Sequence, residues 1–136
     1  MNTLRTTVIT GLVAAGGLAL HAAEASQAGQ PGVRRVDLQR HDLSTPGLET
    51  LQARVEIDPG VTAARHWHHG EEIIYVLEGT LEYTLDGQPP VTLSPGEVLF
   101  VPARVVHSAR NVGDGPGAEL ATYVVEKGKP LVEPAA

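Results

Sequence analysis

Beyond residue 32 the chain is a series of short apolar segments separated by turn residues. In residues 51–57 every second side chain is apolar, as in a strand with one face in a core. Residues 81–85 alternate in the same way and end at Asp86-Gly87, a typical hairpin turn. Strands are expected at residues 33–38, 51–57, 73–77, 81–85, 91–93, 98–101, 105–110 and 120–125. No segment keeps a helical period over about 11 positions, so the pattern predicts an all-β sandwich or barrel.

The N-terminal segment has a different pattern. Residues 1–7 carry one positive charge, Arg5, and residues 8–20 form an uncharged apolar run of 13 residues. This run is shorter than the roughly 20 residues of a membrane-spanning helix. Residues 23–25 and 26–28 each have small residues at their first and third positions, as at a signal peptidase site, whereas three glycines weaken the alternative of a buried helix. We predict a signal peptide over residues 1–25, a periplasmic or secreted product, and no membrane anchor after cleavage.

Composition restricts the partners and the chemistry. The net charge of −6 argues against nucleic acid as a partner, because phosphate binding requires a basic surface. The absence of cysteine excludes disulfides, thiolate metal ligands and cysteine nucleophiles. One domain is expected, with an arm and edge strand at residues 26–48, a barrel at 49–126 and a tail at 127–136. The two prolines of the tail predict that it frays, and the edge strand at 33–38 is a candidate for homodimer formation.

Histidines are the residues that suggest chemistry. His66 and His68 are two positions apart, so on an extended strand both imidazoles project from the same face. Glu72 follows closely, and His107 lies on a later predicted strand. Neutral imidazoles together with one carboxylate suit a divalent transition metal. The alternative is that these are exposed polar residues in a strand and its turn.

The spacing around these residues matches a known motif. Gly60, five residues, His66-x-His68, three residues, Glu72, six residues and Gly79 reproduce every fixed position of the first cupin motif. The second motif is matched by Gly96, Pro102, His107 and Asn111, with Arg104 in place of a glycine. From about residue 51 to 125 the chain therefore resembles a single-domain, metal-binding cupin of the type-2 conserved-barrel kind, similar to small quercetin-dioxygenase-like cupins.

The resemblance implies a small antiparallel, jelly-roll-like cupin β-barrel. It also implies that His66, His68, Glu72 and His107 bind one divalent transition metal, which would be Fe, Mn, Ni, Cu or Zn. His69 is not expected among the ligands, and Trp67 is expected to face away from the metal. Arg65 and Arg104 are the nearby cations that could meet an anionic substrate, and Glu71 is either a partner of a ligand or a solvated acid. The strand aromatics are expected mostly in the core: Tyr75, Tyr83, Phe100 and Tyr123.

The function implied by the resemblance is enzymatic. Three histidines and one glutamate would leave coordination positions open for a small oxygen-rich substrate, as in dioxygenases, and Glu72 could act as a general base. Two alternatives remain open, since a fold does not determine a reaction. One is a non-catalytic periplasmic module that binds a small ligand or a metal. The other is a metal-assisted isomerase or decarboxylase.

Overall fold

The computed structural model describes residues 29–136, and the predicted signal peptide lies outside the described residues. The eight predicted strands are all present, and two two-residue strands, β3 and β10, are additional. Within residues 29–136 no helix is long and apolar enough to cross a membrane. The strands are β1 (Val33–Asp42), β2 (Leu48–Ile57), β3 (His66–Trp67), β4 (Gly70–Glu78), β5 (Leu81–Leu85), β6 (Val91–Leu93), β7 (Val98–Val101), β8 (His107–Asn111), β9 (Gly117–Glu126) and β10 (Glu133–Pro134).

The strands form two five-stranded sheets that pack face to face. The first sheet has the order β1-β2-β9-β4-β7 and the second β10-β3-β8-β5-β6, and all their strand pairs are antiparallel. The main core cluster joins Ile74 and Val76 of the first sheet to Leu81 and Tyr83 of the second. The predicted all-β, jelly-roll-like architecture is confirmed.

The outer face of the first sheet corrects the prediction for two aromatic residues. Tyr83 and Tyr123 are buried as expected, but Tyr75 and Phe100 are 46% and 56% exposed. Register explains the difference, because alternate residues of a strand point to opposite faces. The inward residues of β4 include Ile74 and Val76, so Tyr75 must point outward.

The C-terminal tail also differs from its prediction. It does not fray: β10 pairs with β3, placing Glu133 opposite Trp67. The Leu131 side chain is only 6% exposed and packs in a second core cluster with residues of β2 and β9. Two prolines in this segment therefore do not prevent docking, since Pro134 lies in a two-residue strand at a sheet edge, where a missing N–H is tolerated.

Candidate metal centre

The four residues singled out from the sequence come together between the two sheets. His66 and His107 are direct partners across the β3–β8 pair, Glu72 projects from β4 of the opposite sheet, and His68 follows β3. One potential ligand atom from each residue lies within 4.8 Å of those of the other three. His68, Glu72 and His107 are 2–3% exposed. These residues, hereafter the His/Glu cluster, could therefore act as a single site.

Backbone carbonyl groups orient all three imidazoles of the cluster. The Nδ1–H groups donate to carbonyl oxygens at 2.7 Å for His66, 2.6 Å for His68 and 2.9 Å for His107. Such bonds fix the ring orientation and the tautomer of a metal-binding histidine and leave Nε2 available. In His68 and His107 this Nε2 atom already points at Glu72, at 3.1 Å and 2.9 Å from its Oε2 atom.

The charge state of the cluster follows from these contacts. Burial alone would raise the pKa of Glu72, but hydrogen bonds from His107 and His68 outweigh it and hold this pKa well below the usual range. Burial opposes a charge on His107, yet its bond to Glu72 raises the pKa of the imidazole. Burial lowers the pKa of His66 to about 4, so this ring is neutral at physiological pH. The cluster thus presents an ionised carboxylate among imidazoles, which is a donor set that suits a divalent transition metal.

The local backbone explains why His68, and not its neighbour, belongs to the cluster. Gly70 allows β4 to pass close to β9, because a Cβ atom at this position would lie 2.0 Å from the Val124 carbonyl oxygen. His69 turns away from the cluster: its Nε2 atom lies 3.0 Å from Glu133 and its ring packs against Trp67 at 4.6 Å between centroids. Trp67 therefore faces away from the cluster, as expected.

The two arginines suggested as substrate-binding cations are engaged elsewhere. Arg65 forms two hydrogen bonds with Asp86, at 2.9 and 2.8 Å. Arg104 is 62% exposed in its side chain and pairs with Glu126 at 3.1 Å. The backbone of Arg104 has a φ of 64°, the one positive φ of a non-glycine residue in residues 29–136. The departure from the second motif is thus conformationally conservative, since arginine adopts here the left-handed conformation that favours glycine.

Beside the cluster, two contacts occur that the sequence did not predict. The Tyr123 ring packs edge-on against His68 at 4.9 Å, and the Arg35 guanidinium lies 5.1 Å from the centroid of the Tyr123 ring. Burial, followed by the charge of Glu72, raises the pKa of Tyr123 far above its usual value. The interior position of Tyr123 was expected, but nothing in the local sequence predicts its contact with His68 or with Arg35.

A second buried carboxyl group lies in the barrel and was also missed. The Tyr83 hydroxyl of β5 donates to Glu119 of β9, so the pair bridges the two sheets. Glu119 is 5% exposed, and burial, with a smaller effect of the Glu72 charge, raises its pKa to about 8. Glu119 is therefore mostly protonated at neutral pH. It is not one of the four residues whose ligand atoms converge.

Several known proteins resemble this chain in sequence or in fold. Germin-like protein 1-1 of rice (Oryza sativa subsp. japonica) is 39% identical over 88 residues, which cover 59% of this chain and 41% of that protein. The structure of DMSP lyase DddQ from Ruegeria pomeroyi aligns with a TM-score of 0.55 and 29% identity, covering 59% of this chain and 40% of that chain. A cupin-like protein from Thermotoga maritima shares the fold, with a TM-score of 0.64, 23% identity and coverage of 76% of each chain.

A family model also matches this chain. The chain spans about two fifths of the germin-like protein and of the lyase, so these relatives contain regions without a counterpart in the alignment. The cupin-domain family model matches residues 53–131, more than half of the chain, and this stretch contains the whole His/Glu cluster. The resemblance carried by the two sequence motifs is confirmed, and the chain belongs to the cupin family.

Proposed function

We propose that this chain is an exported, metal-dependent cupin enzyme of dioxygenase or oxidoreductase type that acts on a small, oxygen-rich molecule. The observation that carries the proposal is the convergence of three imidazoles and one carboxylate within 4.8 Å in the barrel interior. His66, His68, Glu72 and His107 would hold one divalent metal. A bound metal of this kind supplies Lewis-acid or redox chemistry to coordinated oxygen atoms.

The residues around the metal would orient its ligands, accept a proton and limit the access of water. The carbonyl groups bonded to the Nδ1–H atoms keep each imidazole directed at the centre of the cluster. Glu72 is ionised, so its carboxylate could accept a proton from a substrate hydroxyl if it moved off the metal. The deep burial of three of the four residues limits contact of the reacting atoms with bulk water.

Oxygen uptake tests the dioxygenase assignment. Purified protein reconstituted separately with Fe, Mn, Ni, Cu or Zn is incubated with flavonols, catechols and small keto acids, and dissolved oxygen is recorded. Glu72→Gln should abolish uptake, whereas Glu71→Gln should leave it unchanged, because Glu71 points to the opposite face of β4. Oxygen uptake that does not follow metal content, or equal loss in both variants, contradicts the proposal.

A second candidate is a metal-assisted lyase. It is favoured by the alignment with the DMSP lyase of Ruegeria pomeroyi, at 29% identity over 59% of this chain. A lyase needs no dioxygen, so product formation under anaerobic conditions separates it from a dioxygenase. Tight binding of a substrate without turnover under either condition favours the non-catalytic binding module instead.

Export is part of the proposal because of residues 1–25. Unfolded export would let the barrel form outside the cytoplasm, where the strongest competitors for nitrogen and oxygen ligands are copper and zinc. We expect zinc or copper more often than iron in protein recovered from the export compartment. Deletion of residues 1–25 should retain the protein in the cytoplasm and change the metal recovered. Stoichiometric iron or manganese in the exported protein would contradict this expectation.

A homodimer is also proposed, and the structure offers two candidate edges. Edge strand β1 exposes Val36 and Leu38, whereas the outer face at the other edge carries a larger apolar patch: Ile73, Tyr75, Leu77, Val98 and Phe100. Five exposed apolar side chains lie here against two on β1, and a stable complex commonly buries ~800 Å² on each partner, so this patch is the better candidate. Phe100→Glu should yield monomers in sedimentation analysis and Leu38→Glu should not. The opposite result assigns the interface to β1.

A further inference from the structure

The three imidazoles of the His/Glu cluster are not held in the same way. His66 and His107 donate to the carbonyl groups of Ala64 and Val105, each two residues earlier in the chain. His68 instead donates to Leu131, 63 residues later, with the shortest of the three distances, 2.6 Å. The orientation of His68 therefore depends on a segment outside the two cupin motifs.

We propose that the C-terminal tail, residues 127–136, is a positioning element of the metal centre, in which the Leu131 carbonyl sets the orientation and tautomer of His68. This inference rests on metal binding by the cluster, as in the proposed function, but not on any particular reaction. With Nδ1–H committed to Leu131, Nε2 is the nitrogen left for a metal. Metal binding and tail docking then stabilise each other, because both need the same orientation of His68.

Several contacts hold the tail in the position that this role requires. The Leu131 side chain is buried with Leu51 and Tyr123, and the same Tyr123 ring packs against His68. Beyond it, the Ala135 N–H donates to the Arg65 carbonyl at 3.0 Å. The Leu131 carbonyl is thus anchored on both sides, by a buried side chain before it and by a strand pair after it.

Two further contacts join the tail to the residues that flank His66 and His68. Glu133 lies 3.0 Å from Nε2 of His69, the residue that directly follows His68. Arg65, which directly precedes His66, donates from Nη1 to the Ala136 carbonyl at 3.2 Å. The tail consequently contacts residues on both sides of the His66-x-His68 segment, as expected of an element that fixes its geometry.

The sharpest test weakens one hydrogen bond without changing a side chain. Replacing Val132 with its α-hydroxy analogue converts the Leu131–Val132 peptide bond into an ester, whose carbonyl is a weaker acceptor. The same exchange at Leu131 weakens the Pro130 carbonyl and serves as the matched control. Using Co²⁺ as the probe, we expect the first ester to lose about tenfold in affinity and the control to bind like the unmodified chain. Equal affinity in all three proteins would overturn the proposal.

Removal of the tail and its protection by metal provide the reciprocal test. A chain ending at Lys129 should lose about 10- to 100-fold in Co²⁺ affinity. If this chain does not fold, hydrogen exchange in the full chain decides: Co²⁺ should slow exchange of the Ala135 amide, and unchanged exchange would overturn the proposal. Failure of the unmodified chain to bind Co²⁺ would instead overturn the metal centre of the proposed function. Absence of turnover alters neither readout.

Discussion

Glu72 and Glu119 are both buried in the same barrel, and their surroundings give them opposite properties. Glu72 is 2% exposed and Glu119 is 5% exposed, so burial alone would raise the pKa of both. The pKa of Glu119 is raised to about 8, whereas that of Glu72 is lowered below the usual range. The comparison shows that the partners of a buried acid, and not its depth, decide whether it is charged.

The partners differ in the charge they can carry. Glu72 receives hydrogen bonds from two imidazoles, which can become cationic and so favour the ionised carboxylate. Glu119 receives a hydrogen bond from Tyr83, whose hydroxyl stays neutral because burial, followed by the charge of Glu119, raises its pKa. One region of the barrel is therefore prepared for a cation, and the other holds a protonated acid that crosslinks the sheets.

The largest effect is expected from removing one of the imidazoles around Glu72. His66→Ala, His68→Ala or His107→Ala should each lower metal affinity by at least about 100-fold, since each removes a proposed ligand. Metal content after dialysis, measured by atomic emission, checks this, with circular dichroism to verify the fold. His69→Ala is the matched control and should keep its metal, because His69 faces Glu133. Equal loss from His68→Ala and His69→Ala would show that the ligand register is wrong.

A smaller effect follows from proton competition in the same region. Because Glu72 raises the pKa of His107, a metal must displace a proton from this imidazole over a wider pH range than from a free one. Affinity should fall by about tenfold per pH unit in acid, and metal should leave below about pH 6. Titration with Zn²⁺ against a chelator at several pH values measures the slope. Affinity that is independent of pH between 5 and 7 would contradict the prediction.

The two regions also differ in how far the sequence predicts them. The His/Glu cluster is local in its motifs: His66, His68 and Glu72 lie within seven residues, and His107 has a fixed spacing from Gly96 and Pro102. The eight main strands could likewise be predicted from the sequence, because alternation and turn residues are local signals. Such local signals therefore predicted the strands and the members of the His/Glu cluster.

What the sequence did not predict depends on long-range pairing. The Tyr83–Glu119 hydrogen bond joins residues 36 positions apart, and the His68–Leu131 bond spans 63. Glutamate usually lies on the surface, so its residue type does not predict burial of Glu119. The hydrogen bond with Tyr83 is what makes this burial tolerable. Tyr75 and Phe100 were misplaced because an apolar run shows no alternation, so it does not reveal which residues face the core.

The Glu119 region can be tested by its effect on stability. The raised pKa means that the folded protein retains this proton better than the unfolded chain does. The resulting stability is fully present below about pH 4.5 and is lost as pH rises to about 8. Glu119→Gln keeps an acceptor for Tyr83 but has no proton to lose. Its free energy of unfolding, compared with that of the natural protein, should therefore gain on the order of 3 kcal/mol between pH 5 and pH 8.

Denaturant unfolding at both pH values measures this difference. Glu119→Asp is the informative control, since it keeps a titratable carboxyl group but shortens its reach to Tyr83. It should remain dependent on pH and be less stable throughout. A constant stability difference between Glu119→Gln and the natural protein would mean that Glu119 is ionised in the fold, like Glu72, and the comparison of the two acids would fail.

The smallest effect is expected at Arg104. Its side chain contacts neither Glu72 nor Glu119, so substitutions here test whether the turn that contains it affects the regions around these two acids. Arg104→Gly should raise the free energy of unfolding by up to about 1 kcal/mol, because glycine adopts the positive φ of 64° without steric cost. The exposed ion pair with Glu126 contributes little to offset this gain. Arg104→Ala loses the same pair and keeps the strain, so it should be the less stable of the two variants. Both should retain the Arg104 N–H bond to the His68 carbonyl, and hence unchanged Co²⁺ affinity. If Arg104→Ala were the more stable variant, backbone strain would not explain why the motif has glycine at this position.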